Sequence, residues 1–168
     1  MPMSPYVRHV RSKIGNEFLL MPSVTGLVFD AERRLLLVRP SHHDVWVAPG
    51  GAVDPDEAPQ DALVREVWEE TGLVVEPTQL LGVFGGPEFR VSYASGDEMG
   101  YVMALYECRV ASGRLRADGD EIEEARYFSP NELASIALSR WAEILLPRFI
   151  AQQRPWLPSI GWQPPSEP

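Results

Sequence analysis

The chain has 168 residues, 45% of them hydrophobic and 23% charged, the composition of one ordinary domain able to bury roughly 68–70% of its unfolded surface. With 24 Asp and Glu against 15 Lys and Arg, the formal charge is -9, so the surface has little pull on a phosphate backbone, which argues against polymeric nucleic acid as a partner. One cysteine, Cys108, can form no internal disulfide, and no basic N-terminal segment leads into an apolar run of signal or membrane length. The expectation is a cytoplasmic protein without a membrane segment.

Alternation and β-branched content predict strands near Ser23–Asp30 and Arg34–Arg39, joined by a turn at Asp30–Arg33, then a short apolar piece at Val45–Val47. A loop rich in Gly, Pro and Asp, Ala48 to Glu57, leads into a helix over Pro59–Thr71, with Pro in the first turn and Gly72 as a left-handed C-cap. Ala58 at the N-cap lacks a capping hydroxyl. Leu80–Tyr93 and Met99–Val110 read as strands around Ala94-Ser95-Gly96-Asp97, with a further strand at Arg114–Ala117, together a meander. After the acidic run Asp118–Glu124 comes a strand at Ala125–Phe128. Ser129-Pro130-Asn131-Glu132 then forms a capping-box start for a helix of about two turns. A last helix, Arg140 to Gln152, carries Trp141, Ile144, Leu145 and Phe149 on one face and is interrupted by Pro147. Residues 1–153 are expected as one domain and 154–168 as a Pro-rich tail containing Trp156 and Trp162.

The chemistry concentrates between Gly51 and Leu73, GAVDPDEAPQDALVREVWEETGL. On a helix, Glu66, Glu69 and Glu70 fall within an arc of about 100°, beside an apolar stripe of Leu63, Val64 and Val67. Ala62 lies one turn earlier in that arc, so a methyl is expected where a longer side chain would block a ligand from Glu66. The like-charge pairs at i,i+3 and i,i+4 each cost about 0.2–0.5 kcal/mol in an isolated helix. A clustered set of carboxylates selects hard cations, Mg²⁺ or Mn²⁺. For such a helix taken alone, a solvated acidic face is the alternative.

The same segment resembles the Nudix box, G-x5-E-x7-R-E-U-x-E-E-x-G-U with U a bulky aliphatic: Gly51, Glu57, Arg65, Glu66, Val67, Glu69, Glu70, Gly72 and Leu73 all match in register. The flanks are also similar to the family, at Leu35–Arg39, at Trp46–Gly51 and at Arg126–Ser129, so the resemblance spans roughly Pro22 to Leu138. It implies an α/β fold, a Nudix-type α/β/α sandwich with a central mixed sheet. It also implies metal-dependent hydrolysis of a nucleoside diphosphate linked to another group, X. Glu66, Glu69 and Glu70 carry over as metal ligands. Glu57 is either a further ligand, a brace for the loop, or an anion favourable to the helix N-terminus. Gly50 and Gly51 permit close approach of backbone to metal and phosphate. Arg65 reaches Glu69 at i,i+4 and Asp61 at the same spacing backwards, and is expected to orient a carboxylate.

A glutamate from a later loop serves many family members as ligand or base, and Glu121, with Glu124 next, is the candidate here. Arg39 and Trp46 are candidate substrate contacts, while His42 and His43 read as exposed loop residues. Phe84, Phe89, Tyr93 and Tyr101 offer aromatic faces for a base or for the core. The resemblance further implies a small nucleotide substrate and leaves room for a homodimer. A proline about fifteen residues past the box is associated in the family with ADP-ribose pyrophosphatases, and Pro87 stands there relative to Gly72. ADP-ribose or a related nucleotide sugar therefore leads over a nucleoside triphosphate or dinucleoside polyphosphate. A non-catalytic nucleotide-sensing domain and a Nudix-fold isomerase are the competing classes.

Overall fold

A computed structural model describes residues 4–41, 43–93 and 95–151. His42, Ala94, the tail 154–168 with Trp156 and Trp162, and the expected boundary at 153 lie outside the described residues. Five strands form a mixed sheet: β1 (Leu19–Val28), β3 (Gly50–Ala52), β4 (Leu73–Phe84), β5 (Arg90–Ser92) and β6 (Glu98–Gly113). Its order is β3-β1-β6-β4, with β5 beside the first residues of β6. β1 and β6 run parallel from Leu19 opposite Met99 to Val28 opposite Cys108, and the other pairings are antiparallel. A separate ribbon pairs β2 (Leu35–Pro40) with β7 (Ile122–Phe128).

Side-chain alternation on β1 and β6 gives each face of the sheet its own core. Val24, Val28, Tyr106 and Cys108 pack under α2 (Pro59–Thr71), against Leu63 and Val67. Leu27, Met103 and Leu105 face the opposite side, where Leu145, Leu146 and Phe149 of α4 (Arg140–Ile150) join Leu35, Leu37 and Phe128. Each such side chain taken fully out of water contributes roughly 1.5–3 kcal/mol. The expected α/β/α sandwich around a mixed sheet is thus observed.

Several local expectations change. α1 (Pro5–Ile14) is not among the expected elements, although Ser4 accepts a hydrogen bond from the Val7 N–H at 3.3 Å, Pro5 opens the helix and Gly15 ends it. The expected strand Leu80–Tyr93 is divided: β4 begins directly after the helix and ends at Phe84, a 3-10 turn covers Pro87–Phe89, and β5 follows. No strand forms at Arg114–Ala117, because β6 continues through Gly113 and pairs with β4, leaving no partner for a meander. The capping box at Ser129 and Glu132 forms, but its helix α3 is only Pro130–Leu133. Ala62 is fully buried beneath α2 in the core, so its methyl packs there and opens no access to Glu66.

Candidate active site

α2 is placed by its ends and by the loop before it. Gly72 adopts φ 69° and its N–H donates to the Trp68 carbonyl at 2.8 Å, which turns the chain from helix straight into β4. The uncapped Ala58 start is observed as expected. At the other side, β3 brings Gly50 and Gly51 against the acidic face. A Cβ built on Gly51 would lie 2.4 Å from the Glu66 carboxyl carbon, so only glycine lets strand and carboxylate meet there. The Gly50 N–H donates to Glu70 Oε2 at 3.0 Å.

Arg65 ties three of the box carboxylates together. Its Nε and Nη2 donate to the two oxygens of Glu57 at 2.8 and 2.9 Å, Nη1 donates to Glu66 at 2.8 Å and Glu69 at 3.2 Å, and Nη2 also reaches the Ala52 carbonyl at 3.1 Å. The expected contact to Glu69 is present; its backward partner is Glu57 rather than Asp61, and the planar fork grips the Glu57 carboxylate two-pronged. Glu57 in turn accepts from the Asp54 N–H at 3.2 Å. Glu57 thus links Arg65 to the loop before the helix, and the Arg65 guanidinium holds its carboxyl below the usual range.

Glu66 and Glu70 are each only 6% exposed, whereas the Glu69 side chain is about half exposed at 49%. Burial pushes the Glu66 carboxyl up to about 7, against the opposing pull of Arg65. Glu70 lies well above the ordinary value through burial and the neighbouring Glu66, offset in part by the Gly50 N–H. All three line a cavity of about 470 Å³ together with Asp54, Asp118 and Glu121. Asp118 organises the later loop, its Oδ1 accepting from the N–H groups of Asp120, Glu121 and Ile122 at 2.8–3.0 Å. Burial also raises the Glu121 carboxyl, helped by Asp118 and Glu69.

A second cavity of about 220 Å³ adjoins the first, and Ala52, Tyr93 and Tyr101 line both. Gly50, Gly51, Phe89, Met103 and Trp141 line it, with the buried Ser23 and Thr25 of β1. Ser139 Oγ, at the start of α4, is buried on this wall without a hydrogen-bond partner among the described residues.

Arg39 and Trp46 line neither cavity. Arg39 pairs with Glu123 at 2.7 Å and Glu124 at 3.3 Å on β7, while Trp46 packs edge-on against Phe128 in the core. Phe84 is likewise core. Glu124, the second choice in the acidic run, is on β7 facing Arg39. Asp54, Ser4, Val7, Ser95 and Asp97 line the larger cavity although the sequence pattern does not single them out. Asp54 sits inside the box itself, whereas the others are brought in by tertiary packing alone.

Two buried carboxylates, one of them held by the Arg65 guanidinium, with further acids across the cavity, form a hard-oxygen donor set suited to Mg²⁺ or Mn²⁺. Among the described residues no group of three His, Cys, Asp or Glu side chains is already arranged to hold a metal ion. No helix among the described residues is long and apolar enough to cross a membrane.

Comparison with known proteins agrees with this geometry. The domain model described as NUDIX domain matches residues 19–152, most of the chain. A MutT-like protein of Streptomyces ambofaciens is 31% identical over 76% of this chain and 73% of its own length. An ADP-ribose pyrophosphatase of Methanocaldococcus jannaschii is 32% identical over 68% of this chain, a match that spans 65% of the relative. A crystal structure of a UDP-X diphosphatase superposes with a TM-score of 0.65 over 92% of this chain and 74% of its own, at 23% identity, a likeness of fold. Nudix hydrolases generally need a divalent metal ion. A match running from β1 to the end of α4, with the box helix turned into a carboxylate-lined cavity, makes this chain a member of the Nudix hydrolase family.

Proposed function

We propose that the chain hydrolyses the pyrophosphate linkage of a nucleoside diphosphate joined to X, with ADP-ribose or a related nucleotide sugar as the preferred substrate and Mg²⁺ or Mn²⁺ as the ion. The observation that carries this reading is the pair of adjoining cavities, one lined by carboxylates and the other mostly apolar with buried hydroxyls and the charged Glu88, Arg90 and Arg140, meeting at Ala52, Tyr93 and Tyr101. A substrate with an apolar, hydrogen-bonding base at one end and a diphosphate next to it fits that sequence of surfaces. Ser23, Thr25 and Ser139 would bond the base edge while Phe89, Tyr101 and Trp141 enclose it. Pro87 opens the 3-10 turn that presents Phe89, which gives a physical reason for a proline there.

Glu66, Glu69 and Glu70 would hold the cation, with the Gly51 backbone beside them; a bound divalent ion neutralises pyrophosphate charge and polarises phosphorus. Arg65 fixes the rotamers of Glu66 and Glu69 and, through Glu57, the loop before the helix. Glu121, raised in pKa and carried on a loop ordered by Asp118, would take the proton of the attacking water. Names of the compared proteins support the substrate class: ADP-ribose pyrophosphatase for one relative and UDP-X diphosphatase for one fold neighbour. The test is a panel of ADP-ribose, UDP-sugars, nucleoside triphosphates and dinucleoside polyphosphates with Mg²⁺ and with Mn²⁺, products identified. Cleavage of ADP-ribose to AMP and ribose 5-phosphate at the highest kcat/KM is expected. Preference for a triphosphate, or metal-independent turnover, overturns the reading.

A further inference from the structure

The larger cavity has a wall that the matched family range leaves out. α1, residues 5–14, precedes the match at residues 19–152, yet Ser4 and Val7 line the same cavity as the box glutamates. Ser4, Val7 and Arg11 fall on one helical face. Val7 is 3% exposed and packs on Met21 and Met99, with Ala52 and Tyr101 against the same cluster. Arg11, 8% exposed, donates to the Gly15 and Glu17 carbonyls at 3.1 and 2.6 Å and to the Glu98 carbonyl at 2.9 Å, and its Nε lies 3.3 Å from Asp97 Oδ1. Asp97 also accepts from Ser95 Oγ at 2.6 Å. The helix and the turn between β5 and β6 are therefore one clamped unit, and Ser95, Asp97 and Met99 of that unit line the cavity too.

The charge of this cavity is one-sided. Among the described residues lining it, Arg65 is the only cation, and all five of its N–H donors are taken by Glu57, Glu66, Glu69 and the Ala52 carbonyl. What the α1 wall offers a ligand is the Val7 and Met99 side chains and the hydroxyls of Ser4, Ser95, Tyr93 and Tyr101, the last two 2.8 Å apart. We propose that α1, clamped through Arg11 and Asp97, is the wall that holds X, and that it selects an uncharged, hydroxyl-bearing X over one carrying further phosphate. This rests on the proposed cleavage of a nucleoside diphosphate linked to X. Apart from the ion proposed for the diphosphate, a phosphate on X would meet acids with no free side-chain cation among the described residues lining this cavity, and desolvating it there is unfavourable. A sugar would exchange water for hydroxyl partners and pack its ring on the Val7 and Met99 side chains. Arg11 acts here as a positioning residue, since it holds the wall and does not face the ligand.

The experiment measures kcat and KM separately for three substrates: ADP-ribose, ADP-ribose bearing a phosphate on its terminal ribose, and ATP. In the wild type the added phosphate should lower kcat/KM at least tenfold. Val7→Ala and Arg11→Gln should lower the ratio of kcat/KM for ADP-ribose to that for ATP at least fivefold, through KM. Arg11→Lys should restore part of that ratio. Because Arg11→Gln also removes three hydrogen bonds to main-chain carbonyls, Val7→Ala stands beside it as the variant that leaves the clamp intact. Equal losses on ADP-ribose and ATP for both variants, or a wild type that prefers the phosphorylated X, overturns the wall. A wild type that cleaves none of the three overturns instead the reading of the site on which the wall depends.

Discussion

Two arginines, Arg65 lining the larger cavity and Arg11 on the helix that forms part of its wall, have different charge surroundings. Arg11 faces one carboxylate, Asp97, and three main-chain carbonyls that accept from its Nη groups, so its single charge is matched by a single carboxylate. Arg65 faces three carboxylates, Glu57, Glu66 and Glu69, with Glu70 buried beyond its reach and bonded only through the Gly50 N–H among the contacts described. One network closes on itself and holds a helix to the sheet. The other keeps a surplus of negative charge in a place where water is scarce, which costs stability unless a cation compensates it. Matched charge goes with the scaffold here, and surplus charge with the candidate site.

The largest effect that would break this contrast is on chemistry. Glu121→Gln should lower turnover by roughly 10²–10⁴-fold, the share of a positioned base, with substrate and metal affinity near wild type. Titrating metal at saturating substrate separates the roles: added metal rescues a weakened ligand and does not rescue a missing base. No change in turnover would leave Glu121 outside the site. On the matched side the large effect should be on folding. Arg11→Gln strands Asp97 as a buried charge and should cost about 3–5 kcal/mol in chemical denaturation. A loss under about 1 kcal/mol, the worth of an ordinary exposed pair, would mean the pair is no clamp.

How far each network is legible follows from where its residues come from. The box lies in one continuous segment whose helical spacing alone aligns Glu66, Glu69 and Glu70, so the carboxylate face is legible in the residue pattern itself. The same spacing misleads at Ala62, because a helix position says which residues share an arc and not how deep the helix sinks into the sheet. Spacing marks Arg65 as an orienting residue, but its fork onto Glu57 depends on a loop fold that spacing does not encode. Trp46 and Arg39 precede the box in sequence yet point into the core and onto β7, because β2 pairs with β7 rather than joining the main sheet. The Arg11 network joins residues 87 apart in sequence, from Arg11 to Glu98, which no local pattern can announce.

A smaller effect sharpens the role of Arg65. Arg65→Lys keeps the charge but loses the two-pronged bond to Glu57, and should lower turnover by about 10–100-fold, the range typical of residues that orient metal ligands. Unchanged kinetics would reduce it to a surface side chain. The smallest effect is in the pH dependence of the metal-free protein. Glu66 titrates near 7 when folded, above its unfolded value, so its contribution is fully present below the ordinary carboxylate range and is lost as pH rises through about 7. Glu57, lowered by Arg65, has the reverse sign and loses its contribution as pH falls through its folded value. In chelator, the melting temperature should decline between about pH 5 and pH 8, and Glu66→Gln should flatten that decline.

The central claim, that the box face carries surplus negative charge awaiting a cation, is tested most directly by melting wild type and Glu70→Gln at about pH 8, in chelator and with Mg²⁺. In chelator the variant should be at least as stable as wild type, because neutralising a buried carboxylate beside Glu66 relieves repulsion; Mg²⁺ should raise the wild-type melting temperature clearly and that of the variant little. A variant clearly less stable than wild type in chelator, with equal shifts on adding Mg²⁺, would contradict the claim and return Glu70 to the scaffold.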